Sequence, residues 1–113
     1  MEQCSTLEEK QVIVHCTVTG IPYYNTFRVW PTIYLIPKES DKKSKLLHYF
    51  NIEMYPASQL IGATGQNHFT LIFEGLAPSC NYFDILEIIP ETGAFEARNI
   101  ARNESDVYSV IFD

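Results

Sequence analysis

Three histidines and three cysteines are the side chains of this 113-residue chain best suited to chemistry. His15, His48 and His68, with Cys80, supply the types that a thiol–imidazole pair needs: a nucleophile and a neighbouring base. His15, Cys16, His48, His68 and Cys80 also include enough zinc-ligand types, but none forms the close local pair that structural zinc sites use. No nucleophile elbow, Walker loop, dinucleotide fingerprint, H-E-x-x-H or C-x-x-C occurs in the sequence. A small thiol- or metal-dependent enzyme using Cys80 with His15, His48 or His68 is therefore the alternative reading. No catalytic residue, metal or cofactor is expected.

The acids pose a second question. Asp84 and Glu87 interrupt the apolar run 75–89, GLAPSCNYFDILEII, and Glu74 precedes it. A buried carboxylate must be paired or hydrogen-bonded. Asp84 is thus expected to meet a partner such as Arg98 or Arg102, or the strand to bulge after Tyr82. The functional alternative is an acidic patch of Glu74, Asp84, Glu87 and Glu91 that binds a cation or a basic partner. The dense oxygen-ligand spacing of a calcium loop is not found.

The elements that must position these groups read as strands. Residues 11–19 alternate, with Val12, Val14, Cys16 and Val18 on one face and His15, Thr17 and Thr19 on the other. Residues 27–37 form a second apolar run, which Pro31 must place at an edge, bulge or split in two, because proline donates no ladder hydrogen bond. Residues 38–45 are a lysine-rich polar connection. Residues 46–54 set Leu46, His48, Phe50, Ile52 and Met54 on one face. Residues 68–74 turn Phe69, Leu71 and Phe73 inward. Residues 81–89, a short strand to Ile100 and residues 106–112 complete the series. Seven or so strands without a sustained helical period predict an antiparallel β-sandwich over residues 10–113, after a tail at 1–9.

Leu76, Pro78 and Tyr82 keep the spacing L-x-P-x-x-x-Y between two strands. This resembles the tyrosine corner of immunoglobulin-like and fibronectin type III domains. The resemblance implies a sandwich of that kind in which Tyr82 is buried and donates its hydroxyl to backbone near Leu76 to Pro78. The antibody pattern of a buried Trp with a cysteine pair is not matched. Arg28-Val29-Trp30-Pro31-Thr32, residues 43–48, Phe73 to Leu76 with Phe83 to Glu87, and residues 102–108 also resemble blocks of a small bacterial family of unassigned function, which implies a standalone domain.

Composition narrows the partners. With 46% hydrophobic and 13% aromatic residues the chain is too apolar for disorder, and its net charge of −6 opposes binding to nucleic acid. No apolar run approaches the roughly 18 residues of a membrane span, and the polar, acidic start is not a secretory signal. A cytoplasmic protein with Cys16 and Cys80 as buried free thiols is expected, the alternative being one Cys16–Cys80 bridge. The leading function is a non-catalytic module that binds another protein, or itself through the edge strand. Tyr23, Tyr24 and Trp30 are its expected contact residues, because Tyr and Trp are enriched as interface anchors.

Overall fold

A computed structural model describes residues 11–39, 42–90 and 92–112. The protein is all-β, with no helix among the described residues. Nine strands form among the described residues: β1 (Val12–Thr19), β2 (Thr26–Phe27), β3 (Ile33–Pro37), β4 (Ser44–Phe50), β5 (Gln59–Leu60), β6 (Gln66–Phe73), β7 (Tyr82–Glu87), β8 (Glu96–Ala101) and β9 (Val107–Phe112). Seven of them build one sheet in the order β8-β7-β3-β4-β6-β1-β9, and β2 pairs with β5 in a small separate ribbon. The sheet is mixed rather than antiparallel, because β9 lies parallel to β1. It curls until its two end strands approach each other, giving a nearly closed barrel. Phe95 and Phe112, with ring centroids 4.8 Å apart, bridge that seam.

Period-two alternation explains the core. Val12, Val14, Cys16 and Val18 of β1 are buried, as are Phe69, Leu71 and Phe73 of β6 and Phe83 and Ile85 of β7. Facing residues pair directly, Val14 with Leu71 and Cys16 with Phe69, so the two apolar faces meet across the ladder.

Pro31 falls in a bend before β3, and the apolar run 27–37 is split there. The strand that follows is central rather than at an edge, since β3 pairs with both β4 and β7. Proline's missing N–H is accommodated by leaving the ladder, not by an edge position. A second difference lies in β4. Leu46 pairs with Phe73 and His48 with Ile72, so Leu47 is an extra residue at a bulge. One inserted residue reverses the faces beyond it. His48 and Phe50 therefore stand on the outer face and not beside Leu46.

The turn before β7 also departs from expectation. Tyr82 is 50% exposed and does not pin the corner. The carbonyls of Leu76, Ala77 and Cys80 instead accept from the Arg102 guanidinium at 3.4, 2.8 and 3.1 Å. Leu76 is buried beneath them, while Pro78 is exposed. Arg102 in turn holds the buried Asp106 through two bonds of 2.6 and 3.0 Å. The Tyr108 hydroxyl donates to Asp106 at 2.9 Å and accepts from the Asn103 amide at 3.0 Å. A tyrosine does anchor a corner in this fold, but it is Tyr108, two strands later.

Candidate functional site

The most exposed aromatic side chains stand on the turn that follows β1. Its backbone is laced on both sides. Tyr24 and Asn25 donate to the Ile21 carbonyl, each at 3.1 Å, and the Asn25 side chain accepts from the Ile21 amide at 2.6 Å. Across the gap, Tyr23 donates to the Ile61 carbonyl at 2.8 Å and Ile61 donates to the Asn25 carbonyl at 3.0 Å. Gly20 enters where a Cβ would meet Ile61 and Asn25 at 3.0–3.1 Å, so a side chain there would push the turn away from its support.

Within this frame Tyr23 holds φ of +59°, a conformation uncommon for a bulky residue and sustained only where surroundings over-determine it. The side chains point away from the core. Tyr23 is 69% exposed, Tyr24 75%, Ile21 58% and the neighbouring Leu60 49%. Four large apolar groups thus stand exposed on this turn and on the segment hydrogen-bonded to it.

Trp30, expected with the two tyrosines, belongs to a different place. It is half-buried and stacks on Tyr55, with ring centroids 3.8 Å apart and planes 12° from parallel. The Arg28 guanidinium lies 5.6 Å from the Tyr55 centroid. Trp30, Arg28, Thr26, Ser58, Glu87 and Thr92 are among the residues lining a polar cleft of about 330 Å³.

The acidic residues do not form a patch. Glu74 accepts from the Lys45 amide at 3.0 Å, at the start of β4. Asp84 is buried, accepts from the Asn99 amide at 2.9 Å and pairs with Lys38 at 3.1 Å and Arg98 at 3.4 Å. Arg98 was one of its two expected partners, and the ladder between β7 and β8 does bulge there, between Phe83 and Ile85. Burial pushes the Asp84 carboxyl up, but the Asn99 amide, Lys38 and Arg98 together hold it below the usual carboxylate range. Glu87 points to the opposite face of β7. It is buried and binds two backbone amides, Trp30 at 2.7 Å and Phe95 at 3.0 Å. Each of these three acids accepts from at least one backbone amide. Glu91 lies outside the described residues.

The cysteines and histidines are separated by the sheet itself. Cys16 and Cys80 are free and buried. Burial pushes the Cys16 thiol up to about 12. The Cys80 thiol is also raised, by burial first, against the opposing pull of Arg102. It donates to the Tyr82 carbonyl at 3.3 Å and borders a cleft of about 210 Å³ with Pro37, Ser44 and Leu76, but no histidine lines that cleft. A raised thiol without a base is a poor nucleophile. His15, His48 and His68 are all exposed on the outer face. Cys4 lies outside the described residues. Comparison with family models, with curated proteins and with solved structures finds no match to this chain. No helix among the described residues is long and apolar enough to cross a membrane.

Sequence reasoning singled out Tyr23 and Tyr24 but missed Ile21, Leu60 and Tyr55. Ile21 beside Pro22 carried a local signal, being an apolar residue inside a turn. Leu60 and Tyr55 carried none, because they reach their positions through pairing between β2 and β5 and between Val29 and Met54.

Proposed function

We propose that this protein is a non-catalytic interaction module that binds another protein through the tip formed by Ile21, Tyr23, Tyr24 and Leu60. The observation that carries this reading is the exposure of four large apolar side chains on a turn held in place by its own backbone hydrogen bonds. A rigid aromatic anchor loses little conformational entropy on docking, which favours binding. The net charge of −6 sets two copies of the chain against each other, so the proposed partner is a different protein of neutral or positive charge.

The fold is proposed to be a variant of the immunoglobulin and fibronectin type III arrangement. In support, β3, β7 and β8 neighbour one another as strands C, F and G do there, and β1 and β6 as strands B and E. β4 then joins the two halves, and β9 takes the place beside β1 that the first strand would hold.

Replacing Tyr23 and Tyr24 together by Ser tests the function. The variant should melt within about 4 °C of the parent, since an exposed substitution changes stability by about 0.5 kcal/mol or less and two are made. It should lose capture of the partner that the parent retains from a lysate of the source cell. An unfolded variant, or unchanged capture, contradicts the proposal. Concentration-dependent self-association abolished by the same change would assign the tip to a second copy instead.

A further inference from the structure

The outer face of β1 and β6 brings two of the histidines together. In the antiparallel register His15 faces Thr70 and Thr17 faces His68, so the four side chains form a square with the histidines on one diagonal. His15 Nδ1 lies 3.0 Å from the Thr70 hydroxyl, and His68 Nδ1 lies 3.0 Å from the Thr17 hydroxyl. Each ring therefore leans toward the opposite strand, and both occupy the same inter-strand gap from opposite sides. Diagonal positions on an antiparallel pair are about 7–8 Å apart, within reach of long side chains. Both residues are exposed.

We propose that His15 and His68 chelate a divalent transition-metal ion through their Nε2 atoms, with water completing the coordination shell. The hydroxyl contacts are what such a site requires. A ligating histidine commonly donates its other ring N–H to a neighbouring oxygen, which selects the tautomer and aims the ring. Here Nδ1–H would donate to threonine on both strands, leaving each Nε2 lone pair directed outward. Imidazole ligands suit zinc, nickel and copper rather than calcium or magnesium. Among the described residues no third His, Cys, Asp or Glu joins the pair, so the protein contributes two ligands. His48 faces Ile72 on the far side of β6 and stands outside the square.

Titration of the full chain with zinc chloride, followed by side-chain nitrogen NMR of the histidines, tests the proposal. The Nε2 signals of His15 and His68 should shift together and saturate with a single midpoint, while His48 does not follow them. His15→Asn should then weaken the response of His68 by tenfold or more, because one imidazole has lost its co-ligand. Thr70→Val should weaken zinc binding by about tenfold or more through loss of ring orientation. If His68 responds with the same midpoint after His15→Asn, or if all three histidines shift alike, the ion is held by single side chains and the chelate does not exist. No shift at either histidine also overturns it.

Discussion

Arg102→Met is expected to destabilise the protein by about 3–5 kcal/mol, the cost of breaking one partner out of a buried ion pair. Arg102 donates to three carbonyls of the turn before β7 and grips Asp106 with two bonds. Methionine keeps the apolar stem but strands a carboxylate that is only 2% exposed and held at φ of +56°. The Tyr108 hydroxyl and the Asn103 amide would lose their order in turn, since both depend on the same carboxylate position. Asp106→Asn tolerates the left-handed backbone and should cost less. Combining the two changes should cost less than their sum, because the second removes the charge that the first deprives of Arg102. Urea unfolding reads all three. A loss below 1 kcal/mol for Arg102→Met would mean that the corner is held by packing alone.

Glu87→Ala should cost about 2–4 kcal/mol. The side chain is buried and its two oxygens receive the amides of Trp30 and Phe95, each worth about 1–3 kcal/mol when left unpaired. The loss should be visible optically, because Trp30 is the only tryptophan and its backbone is tied by this bond. Glu87→Gln retains one acceptor oxygen and should lose roughly half as much. A fully stable Glu87→Ala protein would reopen a functional role for that carboxylate.

These acids show where sequence reasoning reaches and where it stops. The all-β class, the inward faces of β1 and β6 and the partner of Asp84 were legible, because alternation and charge pairing are local or follow from few candidates. The face of His48 was not, since the Leu47 bulge shifts the register without any glycine or proline to announce it. Tyr82 carried the spacing of a corner tyrosine, yet Arg102 competes for the same carbonyls with a charged, five-donor group and takes them. The parallel place of β9 depends on a long-range choice between sheet edges, which period-two patterning cannot express. Tyr23 and Tyr24 were legible as a candidate surface from aromatic density beside a proline. Trp30 was grouped with them only by proximity in the chain.

The most direct test of the binding tip places a photo-crosslinking benzoylphenylalanine at Tyr24 in one sample and at Tyr82 in another. Both tyrosines are well exposed, at 75% and 50%, so general stickiness would label both. The expected result is one discrete adduct from position 24, absent from position 82 and lost when Tyr23→Ser is added. Equal adducts from both positions, or none from position 24, would contradict the assignment of this turn as the working surface of the protein.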